Sequence, residues 1–192
     1  MITEVVVLYY SRHGATRDIA RHIARGIESV PQCQALLRTV EEIDSAANKD
    51  GGDPIVSFNE LKQSDGLAMG SPVWFGNMAA PLKHFWDKTT AIWVSGELID
   101  KPACVFTSSS TLHGGQESTL LSMMLPLFHH GMMVMGTPYS EPELHLTQSG
   151  GTPYGPTTVS GHQQRVLTKE EIALAQATGK RLATTAKKMK ET

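Results

Sequence analysis

Cysteine is scarce in this chain, with two among 192 residues, Cys33 and Cys104. Two isolated thiols build neither a disulfide framework nor a C-x-x-C or Cys/His metal pattern, so free thiols in a reducing, cytoplasmic setting are expected, and no metal site. Neither heads a C-x5-R phosphatase loop, because Thr39 and Ser110 stand where the arginine is needed. A surplus of either charge is also missing. The 17 basic and 19 acidic residues leave a net charge of -2, which gives nucleic acid no field and lacks the strong acidity with which many electron carriers dock. No apolar run reaches the ~18 residues of a membrane span, and the N-terminus enters a strand without a basic stretch before it. The expected partner is a small molecule, with no nucleic acid and no membrane.

Two nucleotide signatures are absent as well. There is no G-x-x-x-x-G-K-[ST] with a lysine for outer phosphates, and no G-x-G-x-x-G for a pyrophosphate. What is present is a strand, Val5-Val6-Val7-Leu8-Tyr9-Tyr10, breaking into the loop Ser11, Arg12, His13, Gly14, Ala15 and Thr16, and then an amphipathic helix. Loop amides, two hydroxyls and the positive end of a helix dipole converge there on one point, which suits a terminal monophosphate such as that of flavin mononucleotide (FMN). The same residues also suit a tight turn capped by serine.

Apolar periodicity predicts a helix over 17–30, with Ile19, Ala20, Ile23, Ala24 and Ile27 on its buried face and Arg17, Arg21 and Arg25 in solvent. Strands are predicted over 33–40, 66–70, 103–107 and 131–136, and helices over 78–86, 117–130 and 169–189. A polar stretch over 41–54 reads as a surface connection. Strand and helix alternate throughout, and the strands are apolar along their length. Right-handed crossovers of that kind give an α/β fold, a doubly wound five-stranded parallel sheet in the flavodoxin-like order 2-1-3-4-5 with helices on both faces. Residues 1–192 are expected to form a single domain. The segment 139–167, rich in Gly, Pro, Thr and Ser, is too long for an ordinary connection, and such a loop usually has a job or a partner that orders it.

Ligands of doubly wound sheets bind outside the carboxyl ends of the strands. Three predicted loops fall there. The first is 11–16. The second is Pro72, Val73, Trp74, Phe75, Gly76 and Asn77, whose aromatic pair and glycine allow close approach to a flat ring. The third is Ser108, Ser109, Ser110, Thr111, Leu112, His113 and Gly114, dense in hydroxyls and amides. Each has a plainer reading as core aromatics or solvated turn, and together they describe a planar, phosphorylated ligand. The methionines Met123, Met124, Met132, Met133 and Met135 read as core filler.

Seven ordered motifs then stand out: Val7-Leu8-Tyr9-Tyr10-Ser11, Gly70-Ser71-Pro72, Phe75-Gly76-Asn77-Met78, Trp93 with Ser95-Gly96, Gly114-Gly115-Gln116-Glu117, His129-His130-Gly131-Met132 and Gly151-Thr152-Pro153-Tyr154-Gly155. In that order they closely resemble the WrbA family of FMN-dependent NAD(P)H:quinone oxidoreductases. The resemblance implies FMN as cofactor, NADH or NADPH as electron donor and quinones as substrates. It places the family's phosphate loop on 11–16, its ring-contacting loop on 73–77 and its third flavin loop on 108–114. It further implies His130 as the substrate-side catalytic histidine, Trp93 as a wall of the site contributed by a neighbouring subunit, and a homotetramer. Trp74 stands where several members carry arginine, His13 where some carry tyrosine, and the third loop runs one residue longer than in some members. Reduction is expected to be ping-pong, in one cleft. The rivals are a one-electron carrier of flavodoxin type and a flavin-bound interaction protein.

Overall fold

A computed structural model describes residues 2–43, 52–161 and 166–191 of the chain. The elements run β1 (Thr3–Tyr9), α1 (Ala15–Glu28), β2 (Cys33–Thr39), α2 (Phe58–Gln63), β3 (Gly66–Pro72), α3 (Ala80–Asp87), α4 (Thr90–Ser95), β4 (Pro102–Ser109), α5 (Gln116–His129), β5 (Met133–Val134), α6 (Glu143–Leu146), β6 (Thr157–Val159) and α7 (Lys169–Lys190). The sheet is parallel in the expected order β2-β1-β3-β4-β5. Lys49, Asp50 and Gly51 of the expected surface connection lie outside the described residues.

Successive strand residues point to opposite faces, and both faces are covered. Val6, Leu8, Leu67, Met69 and Val105 pack beneath Leu82, Trp86, Ile92, Leu120 and Met123, from α3 to α5. Val5, Val7, Ala68, Cys104 and Phe106 pack beneath Ile19, Ile23, Ile27, Leu182 and Ala183 of α1 and α7. That is why the strands are continuously apolar rather than alternating. Met123 and Met132 fill the core as expected, while Met133 is exposed.

The fifth strand departs from expectation. Only Met133 and Val134 pair with β4, opposite Pro102 and Ala103, and not the whole of 131–136. Met135 adds one hydrogen bond to Ala103 O (2.8 Å) and the chain then turns away through Gly136 and Thr137 into Pro138, which has no N–H to give a ladder. The vacated edge is taken by β6, which pairs with Thr107–Ser109 at the far end of β4. Part of the long segment 139–167 is thus a strand of the sheet. It carries α6 as well, and neither was expected from the sequence. Helices α2 and α4 fall in stretches to which the sequence reading assigned no element. The Ser57–Glu60 capping box that starts α2 was present as an S-x-x-E signal.

Two glycines set how closely α1 and α7 approach. A Cβ on Gly26 would lie 2.1 Å from Gln176 O, and one on Gly179 2.1 Å from Ile23 O. Alanine at 179 gains helix propensity of under ~1 kcal/mol but forces the two helices apart, at about 1–3 kcal/mol for overpacking, so the clash wins. Gly179→Ala should therefore lower the urea midpoint, and a raised midpoint would contradict this packing.

Candidate functional site

The first loop leaves β1 at Tyr10, whose N–H donates to Gly70 O at 3.0 Å. Ser11 Oγ accepts from Gly14 N at 3.1 Å and holds the turn. Gly14 occupies the N-cap of α1 at φ 93°, a left-handed conformation suited to glycine, and no side chain caps the helix. The first-turn amides of a 14-residue helix are therefore left facing outward, a cradle for an anion. Thr16 is buried, and its hydroxyl lies 2.8 Å from Ser108 Oγ, tying the first loop to the third.

The second loop is a tight reversal. Trp74 N donates to Asn77 O (2.9 Å) and Asn77 N to Trp74 O (3.1 Å), with Phe75 at φ 54° and Gly76 at φ 74° between them. Phe75 stands fully exposed at the tip. Trp74 packs edge-to-face on Tyr10, with ring centroids 5.7 Å apart, and carries the Arg12 guanidinium 5.0 Å above its ring. Arg12 also faces Glu42 at 4.0 Å, which Tyr10 OH engages at 2.6 Å. Asn77 Oδ1 accepts from Met78 N and from Ser122 Oγ, so the base of the loop is fixed.

The third loop is joined to the second through Val73 N, which donates to Ser108 O at 2.8 Å. It is braced internally by Ser109 Oγ and Gln116 Nε2, both donating to Thr111 O. Gly115, at φ 103°, is the N-cap of α5, again with no capping side chain. A Cβ there would stand 3.1 Å from Gly76 Cα, so the two backbones meet. The outcome is a cleft of about 160 Å³, lined from Ser11 and Thr16 through Val73 and Trp74 to Ser108–Ser110.

Sequence reasoning missed two neighbours of this cleft. Ser160 lines it and donates through both N and Oγ to Ser109 O, at 2.8 and 3.1 Å. Its signal was its place just past a strand end, legible only once β6 is known. Arg17, expected in solvent, is half-buried, and its Nη2 would lie 3.3 Å from a Cβ on Gly14. It sets a cation beside the anion cradle. Cys104 takes no part, because burial pushes its thiol up to about 12, and Cys33 is raised by burial too. Among the described residues no His, Cys, Asp and Glu group could hold a metal.

Two expected site residues are elsewhere in the chain. Helix α5 starts at the cleft and runs back along the sheet for 14 residues, about 21 Å at 1.5 Å per residue. Met133 then pairs with Pro102 at the start of β4, and Asp100 N donates to Gly131 O. His130 therefore sits at the amino end of the sheet, with Trp93 beside it, whose Nε1 donates to His129 O at 2.9 Å. Within one copy these residues do not meet the three loops.

His130 itself is buried against Trp86, with ring centroids 5.3 Å apart. Thr89 Oγ1 donates to Trp86 O, so it accepts from His130 Nε2 at 2.9 Å, while Nδ1 has no hydrogen-bond partner. The neutral ring thus keeps a buried, unpartnered Nδ1 that is an acceptor and not a donor. Burial, and then the charge of His129, lower its pKa below the ordinary 6.5.

With this geometry in hand, similarity to known proteins is informative. A model of the NADPH-dependent FMN reductase family matches residues 3–142. The NAD(P)H dehydrogenase (quinone) of Chromohalobacter salexigens is 40% identical, across 98% of this chain and 99% of that protein. That of Geotalea daltonii is 39% identical, across 97% and 98%. A WrbA-like flavodoxin from Agrobacterium tumefaciens shares the fold at TM-score 0.72 and 24% identity, covering 97% of this chain and 98% of the other.

The hydroxyl pair between the first and third loops gives a test. Thr16→Val leaves a buried Ser108 hydroxyl unpaired and should cost about 1–3 kcal/mol in urea unfolding. The double variant with Ser108→Ala should cost less than the two single losses added. Strict additivity would show that the two hydroxyls do not interact.

Proposed function

The chain belongs to the NADPH-dependent FMN reductase family, and from that premise we propose that it is an FMN-dependent NAD(P)H:quinone oxidoreductase of the WrbA type, working in the cytoplasm. One observation carries the reading: three loops from β1, β3 and β4 converge at one end of the sheet on an uncapped α1 N-terminus. The residues fit the cofactor. Amides of α1, the Ser11 turn and Arg17 suit the phosphate, Ser108–Ser110 and Ser160 suit the ribityl hydroxyls, and Trp74 and Phe75 suit the flat ring. The cleft is small for a whole FMN, so we assign it to the phosphate and ribityl end, with the ring at the open mouth beside Phe75.

Bound FMN supplies two-electron redox chemistry, in which NAD(P)H, a proton and a quinone become NAD(P)+ and hydroquinone, donor and acceptor using one cleft in turn. The protein supplies position, water exclusion and charge. Backbone donors of the third loop, held in place by the Thr111 contacts, would supply hydrogen bonds to the pyrimidine edge of the bound flavin. The aromatic mouth admits flat rings without strict hydrogen-bond readout.

Trp93 and His130 belong to this site across a subunit boundary in our reading. Trp93 is half-exposed and bonded to His129 O, and Val94 next to it in the chain, together with Leu125, Phe128 and Met133 of the α5–β5 stretch, also stands in solvent. An apolar patch of that kind suits a subunit interface, as the proposed homotetramer requires. His130 spends Nε2 on Thr89, so its contact with a quinone oxygen falls to Nδ1, which is buried within one copy, donates only when protonated and needs the ring to turn outward.

Anaerobic mixing of FMN-loaded protein with NADH or NADPH, followed by benzoquinone, tests the function. Two-electron bleaching and full recovery of flavin absorbance are expected, and a persistent one-electron radical would favour the carrier instead. His130→Gln should lower quinone kcat/KM by about 10- to 1000-fold. Because the His130 pKa lies below 6.5, quinone turnover should rise as pH falls from 8 towards 6, and this rise should vanish in the variant. A profile identical in both proteins removes His130 from the chemistry.

A further inference from the structure

On the other side of the third loop lies a second cavity, of about 530 Å³. The two cavities are lined by neighbouring stretches of the third loop and of the end of β6. Leu112 and Val159 line this one, while their near neighbours Ser110 and Ser160 line the cofactor cleft. A long molecule whose reacting end lies at the cleft mouth would run back past the ribityl end of the cleft to reach the second cavity.

The cavity is built rather than incidental. Beneath it Glu171, only 1% exposed, accepts hydrogen bonds from Ser149 Oγ (2.9 Å), Val159 N (3.4 Å) and Thr168 N (2.9 Å), all three of them lining residues. Gly150 N and Thr158 Oγ1 also donate to it, at 2.9 and 3.0 Å. One buried carboxylate thereby sets the positions of residues from the α6–β6 connection, β6 and the head of α7. A buried charge satisfied this fully holds its surroundings in one arrangement.

The lining has two chemical halves. Leu112 and Leu146 are each more than half exposed at its rim, an open apolar clamp. Glu170 faces it as well, with its side chain 19% exposed, while its ion-pair partner Lys169, 3.7 Å away, stands almost wholly in solvent. An apolar clamp beside a carboxylate suits a flat heterocycle that carries neighbouring hydroxyls.

We propose that this cavity receives the adenosine half of the nicotinamide dinucleotide, with the ring between Leu112 and Leu146 and the ribose hydroxyls donating to Glu170. The inference rests on the NAD(P)H reading above and adds a direction to it. A carboxylate accepts from a 2′-hydroxyl and repels a 2′-phosphate, so the donor is NADH in preference to NADPH.

The test uses FMN-loaded protein and three donors: NADH, NADPH, and reduced nicotinamide mononucleotide, which carries the reacting ring without adenosine. NADH should exceed the mononucleotide in kcat/KM by about 10-fold or more, and AMP should compete with NADH. Glu170→Gln should shrink the NADH advantage over the mononucleotide by about 10-fold, and Glu170→Arg should invert the NADH:NADPH preference. Flavin absorbance reports that the variants are folded and loaded. Equal kcat/KM for NADH and the mononucleotide, or a NADH:NADPH ratio indifferent to residue 170, would overturn the subsite while leaving the proposed function intact. Protein that dithionite reduces and quinone reoxidises, but that none of the three donors reduces, would overturn both.

Discussion

A parallel sheet sends every strand's carboxyl end the same way, and the rest of this molecule's chemistry depends on that constraint. It collects the loops after β1, β3 and β4 at one end without any further device. The same constraint aims the head of α1 at the gathering point, where Gly14 leaves the helix uncapped and its amides open. Hydroxyls and backbone contacts then lock the loops together. Thr16 meets Ser108, Val73 meets Ser108, and Gly115 lies against Gly76. The result is a rigid polar cradle with an aromatic mouth, positioned by the sheet rather than by the loops themselves.

The opposite end of the sheet is as consequential. By returning along the sheet, α5 carries His130 away from the loops that its N-terminus helps to form. Under the proposed function, that geometry turns the pairing of His130 and Trp93 with the cofactor into a proposal about assembly, in which a second copy supplies them. The apolar surface around Trp93 points the same way.

The strands and the three loops were legible because their signals are local. Val5 to Leu8 are apolar throughout because both faces of the sheet are covered, and a hydroxyl-rich turn after such a run falls where ligands bind. The outer edge of β4 was not legible. Thr157–Val159 is three residues long, and it becomes a strand through pairing with Thr107–Ser109 and through the grip of Glu171, neither of which leaves a local pattern. The early end of β5 at Val134 has the same character. Ser160 entered the cleft unannounced for that reason. The fate of His130 was hidden differently: its residue type suggested chemistry, while its burial beside Trp86 and its bond to Thr89 are tertiary facts.

The central claim is that the open amides of α1, with Ser11 and Arg17 beside them, grip a phosphate. Calorimetric titration of cofactor-free protein with FMN and with riboflavin, which differs only in lacking that phosphate, tests it most directly. FMN should bind at least about 100-fold more tightly, the worth of two or so charge-assisted hydrogen bonds. Equal affinities for the two flavins would contradict the account.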